Sequence, residues 1–555
     1  MVKKRATRKT RRFPHKTYVI TSAQGIQSPY SDKMYGRDKS KGRPLFHLIK
    51  NIQDYVDLRG GELIIGGVPG ANVNEIELHP FFREKFPDNL WLEKDSITRN
   101  EQNKAKERAK RSKWEKRKKS WLEKKAGEAE EDSVPIIAED FPYNQPMHYF
   151  WKDIPDTAYQ RLDEKRLNEH LSLRGVPIRP QNRNPFSGKE RLTKEHVGSS
   201  VIIPSPKKTI KAIPQGEGGE YPNLLMSTCA CTEPNYNLGN LGFDAKEDHA
   251  YGAVVVDVLD DKIFLARIAP AHKNGTFIDL GMKCVPGKNP ERANVVAMVV
   301  GDSHVADINP KVDRANRDMM KQLRPHHTHF NDVFAAQSLG FHNMDDMIYR
   351  AHAYEDGLTS LEKELETTAQ YIIENAKLAG RWNGEIVINH SNHDDMLFRW
   401  LEKEGYRKDE ENFFIGHQLI GKKVTRQNCF RKAIELFTTI PENVTFLEAG
   451  EDRKYHGYLC SSHGHRGING SRGSLSQLEK TYIKIIMGHV HRLEQLREGI
   501  SVGTSTNIPL PYQLGNPSTS MAGNAVVYEG GLAQAIPIVK GKWARSDILK
   551  FLKTH

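Results

Sequence analysis

Val295-Val296-Ala297-Met298-Val299-Val300-Gly301-Asp302-Ser303-His304 is the stretch that determines the fold class of this chain. Its apolar, mostly β-branched beginning predicts a strand that is buried on both faces, as in a parallel sheet. The strand ends at a glycine followed by two metal-capable side chains, Asp302 and His304, which point to one side of an extended segment. Because open α/β sheets bind ligands at the carboxyl ends of their strands, the sequence predicts an α/β fold with a functional site here.

Three later segments repeat this pattern of a short apolar strand followed by metal-capable side chains. Residues 385–388 lead to Asn392 and His393, residues 458–460 lead to His463, and residues 483–487 lead to His489 and His491. A further carboxylate, Asp332, lies between the first two strands of the series. Each side chain alone has an ordinary structural explanation, such as capping a helix.

The order Asp-x-His, Asp, Asn-His-Asp, His-Gly and Gly-His-x-His resembles the motifs of the calcineurin-like metallophosphoesterase family. All of these motifs occur in family order, which separate structural roles do not explain. The resemblance implies the family's four-layer αββα sandwich. Two positions differ from the family pattern, because Asn331 and Ser391 stand where glycines are usual.

The resemblance also implies a site with two divalent metal ions. One ion would be held by Asp302, His304 and His491, and the other by Asn392, His463 and His489. Asp332 would bridge the two ions, and a metal-bound hydroxide would be the nucleophile. His393 corresponds to the family's non-ligand histidine, which contacts the phosphate and can protonate the leaving oxygen; Asp394 or Asp395 could orient it or cap the next helix.

Two arginines, Arg466 and Arg472, follow His463 in a glycine-rich loop and are candidate substrate-binding residues, because guanidinium groups bind phosphates in bidentate fashion. Extra histidines near these motifs, including His465, are expected to be structural or solvent-facing rather than ligands, and His465 is the one to test. The mixed set of oxygen and nitrogen ligands favours manganese as the metal, with magnesium as an alternative.

The composition narrows the partners and the compartment. A net charge of +12 favours an anionic partner, and nucleic acid is the first candidate. No apolar stretch approaches the roughly 20 residues needed to span a membrane, and no apolar segment follows the basic N-terminus, so we expect a cytoplasmic protein without membrane association. The five cysteines are scattered, which predicts buried thiols rather than a disulfide framework.

The organisation of the chain is predicted from changes in its pattern. We expect a basic disordered tail over 1–14, an α/β accessory domain over 15–100, a charged helical arm over 101–131, a linker and irregular region over 132–220, a β-rich segment over 221–290, the catalytic domain over 291–540 and a C-terminal tail over 541–555. The arm is either a solvated helix packed through Trp114 and Trp121 or a basic surface for a phosphate backbone.

Taken together, the chain resembles the nuclease branch of the family, and in particular the early nucleases with which phages degrade host DNA. The sequence therefore predicts a metal-dependent deoxyribonuclease, expected to act on DNA in the host cytoplasm and to self-associate. One alternative is a phosphomonoesterase or a phosphodiesterase that acts on small molecules or RNA. Another is a DNA-binding scaffold with a structural metal site.

Overall fold

The structure is a computed structural model that describes residues 13, 15–28, 36–72, 75–127, 141, 159–194, 199–215, 221–339, 347–510 and 515–555. These residues form a mixed α/β fold with two six-stranded sheets, one ten-stranded sheet and one three-stranded sheet. The basic tail predicted for residues 1–14 falls almost entirely outside the described residues.

The strands are numbered along the chain. They are β1 Lys16–Gln24, β2 Glu62–Val68, β3 Leu90–Glu93, β4 Gln160–Leu162, β5 Glu164–Asn168, β6 Leu171–Arg174, β7 Ser200–Ile203, β8 Thr209–Ile213, β9 Asn223–Ser227, β10 Gly252–Val258, β11 Phe264–Pro270, β12 Phe277–Asp279, β13 Met282–Cys284, β14 Glu291–Arg292, β15 Val295–Val299, β16 His327–Phe330, β17 Glu385–Ile388, β18 Val444–Phe446, β19 Lys454–Tyr455, β20 Tyr458–Leu459, β21 Ile485–Met487, β22 Glu494–Leu496, β23 Gly499–Ser501, β24 Ala522–Tyr528 and β25 Leu532–Ile538.

The helices among the described residues are numbered in the same way. They are α1 Phe46–Leu58, α2 Pro80–Lys85, α3 Lys94–Gly127, α4 Asn240–Glu247, α5 Pro310–Leu323, α6 Met347–Glu355, α7 Leu361–Ala379, α8 Asn392–Glu402, α9 Phe413–Gly421, α10 Cys429–Ile434, α11 Leu475–Tyr482 and α12 Ser546–Thr554. None of these helices has the length and hydrophobicity that crossing a membrane requires.

Strand β15, Val295–Val299, lies inside a sheet, as predicted. The order of this sheet is β18-β17-β16-β15-β24-β25, and β15 pairs in parallel with β16 and antiparallel with β24. Both Ala297 and Met298 of β15 are fully buried, because the two faces of the strand meet different cores. The parallel strands β15 to β18 direct their carboxyl ends to one edge of the sheet, where the site lies.

The sheets and helices form layers. One apolar core joins the inner faces of the three large sheets and includes Ile20 of β1, Ile202 of β7 and Ile486 of β21. A second core joins the outer faces of the six-stranded sheets to helices, through residues such as Ile52 of α1 and Ile372 of α7. On the outside of the ten-stranded sheet, α11 packs through its apolar side chains. The order of the layers is therefore helices, sheet, sheet, helix.

The hairpin between β10 and β11 turns at residues 260 and 261, where the Asp260 carboxylate accepts hydrogen bonds from the next backbone N–H groups. Helix α7 crosses over between β16 and β17, and its first turn is capped by the Ser360 hydroxyl. Two sequence predictions are confirmed. The five cysteines are buried free thiols. The charged arm is α3, whose Trp114 and Trp121 both pack edge-on against Phe141.

Three predicted boundaries are wrong. The region 132–220 was predicted to be a linker and irregular region, but it contains strands β4 to β8. These strands are short apolar runs between Pro- and Asn-rich turns. The accessory domain does not stop at residue 100, because β1 pairs with both β2 and β10 and so places 252–270 in the same sheet. The C-terminal segment is not a tail, since α12 buries Ile548 and Leu552 in the core.

Candidate metal centre

Two groups of metal-capable side chains meet at the carboxyl edge of the parallel strands. The first contains Asp302, His304, Asp332 and His491, and the second contains Asp332, His463 and His489. Within each group the candidate ligand atoms lie within 4.8 Å of one another. The structure therefore brings together six of the seven predicted ligands in these groups, and Asp332 belongs to both. This buried Asp/His cluster could bind a metal ion.

The first group is closely packed around His491. Its Nε2 atom lies 3.1 Å from Asp302 Oδ2 and 3.1 Å from His304 Nε2. His304 Nε2 is in turn 3.6 Å from Asp332 Oδ2. Two imidazoles and two carboxylates that face one another at these distances form a set of nitrogen and oxygen donors suited to a divalent cation.

The second group is centred on His463. Its Nε2 atom lies 3.1 Å from Asp332 Oδ2 and 3.0 Å from Asn392 Oδ1. Asn392, the seventh predicted ligand, is therefore in contact with this group through its amide oxygen. It is the first residue of α8, which is how a helix that begins directly after β17 delivers a ligand to the strand edge.

The backbone is strained where it presents these ligands. His304, Asp332, His489 and His491 have φ angles of 38°, 42°, 70° and 55°, which are in the left-handed region that such residues rarely adopt. Residues in such conformations cost about 1 to 3 kcal/mol each and concentrate at functional sites. Here the strain turns four side chains towards one point.

A glycine allows the two chain segments to approach. A Cβ atom on Gly488 would lie 2.2 Å from Asp302 Oδ1, a separation that no side chain tolerates. The next residue donates its backbone N–H to Asp302 Oδ2 at 2.7 Å, which fixes the carboxylate against the loop. The Gly-His-x-His motif thus places its histidines beside Asp302 because its glycine has no side chain.

The unsatisfied atoms of the cluster fit a bound cation. Asp302 Oδ1, Asp332 Oδ1 and His463 Nδ1 are buried without a hydrogen-bond partner. Buried polar atoms in folded proteins are nearly always paired, so unpaired carboxylate oxygens in one cavity indicate a missing positive partner. The donor set of carboxylate, imidazole and amide oxygen suits divalent transition metals.

Burial and neighbouring charges set the protonation states of the histidines in the cluster. Burial lowers the pKa of His304 to about 3 and that of His489 to about 4, so both imidazoles are neutral near pH 7 and can donate a lone pair. Burial would raise the pKa of Asp332, but the imidazoles of His463 and His393 hold it well below its usual range. Burial would also lower the pKa of His463, but Asp332 raises it to about 9. A cation that binds here would displace the His463 proton.

His393 lies at the edge of the cluster without joining either group. Its Nδ1 lies 2.8 Å from the Ala335 carbonyl oxygen, which fits an Nδ1–H donor, and its Nε2 is 3.9 Å from Asp332 Oδ2. Of the two roles predicted for Asp394, the structure contains the helix cap, because Asp394 closes a capping box with Ser391. A backbone carbonyl leaves no signature in the sequence, so Ala335 could not have been found there.

Asp395 instead anchors the loop that carries the two arginines. Its carboxylate accepts hydrogen bonds from Arg466 Nη2 at 2.7 Å and from Arg426 Nε at 2.7 Å. Arg466 remains 47% exposed, and an antiparallel bridge connects it to the exposed Arg472. Both arginines lie beside the cluster and present charge to solvent.

Two further residues, Asn389 and His465, lie behind the cluster; the sequence predicted no role for the first and a structural or solvent-facing role for the second. The amide nitrogen of Asn389 donates to Asn331 Oδ1 at 3.0 Å and to the Cys460 carbonyl at 2.9 Å, which ties together the loops after three strands. His465 lies with its ring centre 5.5 Å from that of His463, and both of its nitrogens are buried without a hydrogen-bond partner. Only the Asn-rich and His-rich composition of these segments hinted at such roles.

The amino-acid sequence is similar to Protein A1 of Escherichia phage T5. The two are 25% identical over 385 residues, which cover 66% of this chain and 68% of the phage protein. No family model and no solved structure matches the chain. The similarity points to a phage origin, and together with the buried Asp/His cluster it is compatible with a metal-dependent enzyme.

Proposed function

We propose that the chain is a metal-dependent deoxyribonuclease of the calcineurin-like metallophosphoesterase type. The observation that carries this proposal is the position of Asp332, whose carboxylate belongs to both groups of candidate ligands. A carboxylate shared in this way is what a pair of divalent ions requires as a bridge. The layered α/β fold supports the family assignment, because strands of two packed sheets, β15 to β17 in one and β20 and β21 in the other, bring the motifs together.

In this proposal, Asp302, His304 and His491 would hold one ion, Asn392, His463 and His489 would hold the other, and the Asp332 carboxylate is available to both. Such ions would supply positive charge to neutralise the phosphate and would lower the pKa of water so that it can attack at neutral pH. Manganese fits the mixed oxygen and nitrogen donors, and magnesium is the alternative. The neutral state of His304 and His489 keeps both available as ligands.

His393 supplies the proton for the leaving oxygen. The bond from its Nδ1 to the Ala335 carbonyl orients the ring, so that Nε2 faces the cluster at 3.9 Å from Asp332 Oδ2. An imidazole in this position can donate to an oxygen of a bound phosphate without binding the metal. Arg466 and Arg472 would bind the phosphates that flank the scissile bond, since both are exposed and lie in the loop that follows His463.

DNA is the proposed substrate because the chain carries a large excess of positive charge. The net charge is +12, and the exposed helix α3 carries a large excess of Lys and Arg over Asp and Glu along 34 residues. Such a surface favours a phosphate backbone over a small ester. The relation to a phage protein fits a role in degrading host DNA in the host cytoplasm.

The test is incubation of the purified protein with linear and closed circular duplex DNA in manganese, magnesium or EDTA. His393→Ala is compared with His47→Ala, which makes the same change at an exposed histidine on α1. We expect metal-dependent cleavage that falls by a factor of about 100 or more in His393→Ala and is unchanged in His47→Ala.

The pattern of cleavage defines the activity further. Loss of both DNAs identifies an endonuclease, and loss of the linear DNA alone identifies an exonuclease. Survival of both DNAs while a chromogenic phosphate ester is hydrolysed would replace this proposal with a phosphatase. DNA binding without cleavage under any of the metals would instead favour a scaffold with a structural metal site.

A further inference from the structure

The N-terminal part of the chain repeats the sheet topology of the C-terminal part. In the first six-stranded sheet the order is β11-β10-β1-β2-β3-β4, and in the second it is β25-β24-β15-β16-β17-β18. In each sheet the first strand in the chain pairs in parallel with the next and antiparallel with the first strand of the closing hairpin. We call β1 to β11 the N-terminal copy and β15 to β25 the C-terminal copy.

The ten-stranded sheet contains the remaining five strands of each copy. One half runs β5-β6-β7-β9-β8 and the other runs β19-β20-β21-β23-β22, with the same sequence of parallel and antiparallel pairings. The halves join where β8 pairs antiparallel with β22. All eleven strands of one copy therefore have a counterpart in the other, in chain order.

Hydrogen bonds at the end of the first strand fix the residue correspondence. Ser22 forms an isolated parallel bridge with Ala230, and Asp302 forms the same bridge with Thr504. The Ser22 N–H donates to a carbonyl at 3.0 Å on that partner segment, and the Asp302 N–H does so at 3.1 Å. Ala230 and Thr504 each lie three residues after the end of the preceding strand, β9 or β23. Ser22 is therefore the counterpart of Asp302.

A residue at the junction of the halves pairs with its own counterpart. Ile210 faces Met226 within its copy, and Gln495 faces Ile500 within the other, which makes Ile210 and Gln495 counterparts. Across the junction, Gln495 pairs directly with Ile210. A contact in which each position meets its own equivalent is the isologous arrangement of a two-fold symmetric dimer.

The ligand positions of the N-terminal copy hold other residues. Ile203 and Met487 occupy the same register against β9 and β23, which aligns the segments that follow them. The counterparts are Ser22 for Asp302, Gln24 for His304, Gly66 for Asp332, Glu93 for Asn392, Val176 for His463, Ser205 for His489 and Lys207 for His491. A lysine ammonium has no lone pair to give, and valine has no donor atom, so this set cannot hold a divalent ion.

The backbone and the cavity of the N-terminal copy agree with this substitution. Gln24, Ser205 and Lys207 all lack the positive φ angles of their counterparts. These three residues line one cavity together with Gly67 and Val176, at the place that corresponds to the metal centre. Its volume is only about 30 Å³, room for a water molecule or two but not for a nucleotide.

We propose that the N-terminal half is a catalytically silent copy of the catalytic unit, and that it serves as a permanently attached partner subunit with no metal centre of its own. This role covers the strand edges through which a single catalytic unit would pair with a second chain. The β8 edge covers β22, and β11 lies against β25, where Gln534 Nε2 donates to the Ile268 carbonyl at 3.1 Å. The self-association expected from the sequence is then already satisfied within one chain.

The strand directions place the silent site and the metal centre at opposite edges of the ten-stranded sheet. Following the pairings across the ten-stranded sheet, β7 and β21 run in opposite directions, so their carboxyl ends lie at opposite edges. The silent site therefore faces away from the metal centre. The silence of the N-terminal copy and its role as an attached subunit do not depend on nuclease activity, because they concern only metal binding and contacts between the copies.

The test combines metal stoichiometry with solution mass. Calorimetric titration of the metal-free full chain with Mn²⁺ is done on the unmodified protein, on Asp332→Asn and on Glu93→Gln, which changes a carboxylate lining the silent cavity. We expect two ions per chain, loss of tight binding in Asp332→Asn, and unchanged binding in Glu93→Gln. Light scattering should give the mass of one 63.2 kDa chain.

Other results would overturn the proposal. Four ions per chain, or a loss of ions in Glu93→Gln, would show that the N-terminal copy binds metal. A mass of two or more chains would show that the attached copy does not replace a separate subunit. If Asp332→Asn does not fold, His304→Asn is the second ligand variant, and the stoichiometry of the unmodified chain remains decisive. None of these readings requires DNA cleavage, so failure of the nuclease proposal is seen separately.

Discussion

Gly488 shows how a single missing side chain can determine the geometry of the candidate centre. An added Cβ would lie 2.2 Å from Asp302 Oδ1 and 3.0 Å from the Asn331 side chain, and both are buried. In Gly488→Ala, either the loop with His489 and His491 must move or the Asp302 carboxylate must rotate. We expect the affinity for Mn²⁺ to fall at least tenfold, measured by calorimetry.

The matched control for this change is Gly421→Ala. Gly421 is the last residue of α9, and a Cβ there would meet no atom within 4 Å. The same methyl group should therefore leave metal affinity and thermal stability unchanged. Unaltered affinity in Gly488→Ala would show that the loop adapts and that the glycine is not required.

His249 makes the stability of the N-terminal copy depend on pH. Its ring is buried between the Tyr236 hydroxyl and the Thr232 carbonyl, each 3.0 Å away, and burial lowers its pKa to about 3. The unfolded chain binds a proton near pH 6.5 and the folded chain does not, so unfolding takes up a proton between these values. The contribution of the neutral His249 ring to the free energy of unfolding is fully present above about pH 6.5 and is lost as the pH falls towards 3.

His249→Gln tests this pH dependence through the slope of the free energy of unfolding against pH. Urea unfolding of His249→Gln, in EDTA between pH 4 and 6.5, should show about one proton fewer taken up on unfolding than the unmodified chain. The difference between the two proteins isolates His249 from the other buried imidazoles. Equal slopes would mean that His249 is already protonated in the folded state.

At the scale of the element, helix α8 couples stability to the candidate centre. The Ser391 hydroxyl accepts hydrogen bonds from the N–H groups of His393 at 3.2 Å and Asp394 at 3.4 Å. Ser391→Ala should lower the free energy of unfolding by about 1 kcal/mol through loss of this cap. Because Asn392 and His393 lie in the first turn, the variant should also bind Mn²⁺ more weakly.

The control is the cap of a helix that carries no ligand. The Ser360 hydroxyl caps α7 by accepting from the Lys363 N–H at 3.4 Å. Ser360→Ala should lower thermal stability by a similar amount and leave metal affinity unchanged. Equal effects of the two variants on metal affinity would show that the α8 cap stabilises the fold without positioning the ligands.

Elements with a strong local pattern were predictable from the sequence. The run before Asp302 predicted a strand that the structure contains, and Leu361, Leu365 and Ile372 have the spacing typical of the helix in which they lie. The strands of 160–213 were missed, because they are three to five residues long and their burial depends on pairing with distant segments. Local sequence carries little information about such pairings.

The same limit applies to the site. The motif residues could be found because each follows an apolar strand, and the parallel pairing then brings them to one edge. Ala335 and Asn389 could not, since one acts through its carbonyl and the other through contacts with Asn331 and Cys460 that are distant in sequence. The left-handed conformations of His304 and His491 are likewise imposed by tertiary contacts.

At the scale of the whole molecule, a buried ion network joins the two copies. Arg267 of β11 is fully buried and donates to Asp257 Oδ2 at 2.9 Å and to Asp279 Oδ1 at 2.7 Å. Asp279 also accepts a hydrogen bond from Gln534 of β25 at 2.9 Å. Arg267→Met should lower the free energy of unfolding by about 3 to 5 kcal/mol, because the buried carboxylates of Asp257 and Asp279 lose a cation and must share Arg59.

The control for this change is Arg431→Met on α10. Arg431 pairs with Glu435 at 2.9 Å, but its side chain is 54% exposed, so its loss should change stability by less than about 1 kcal/mol. Both variants are compared by urea unfolding followed through tryptophan fluorescence. A small effect of Arg267→Met would show that water enters and solvates the remaining carboxylates.

The duplicated architecture was not visible in the sequence, and its reason is physical. The counterparts at the ligand positions share no chemistry, as Lys207 and His491 show, and only the backbone pairing has been kept. A sheet register depends on alternation and burial more than on identity, so two copies can diverge in every functional residue and still fold alike. The repeat is therefore found in the strand order.

The pairing of β8 with β22 has a consequence for assembly at high protein concentration. One half provides the β8 edge and the other provides the β22 edge. Two chains that exchange halves would therefore remain fully paired. Residues 271–294, which contain β12 to β14, tether the halves within one chain. A short tether sets an effective concentration in the millimolar range, so exchange between chains is suppressed as long as their concentration stays well below that value.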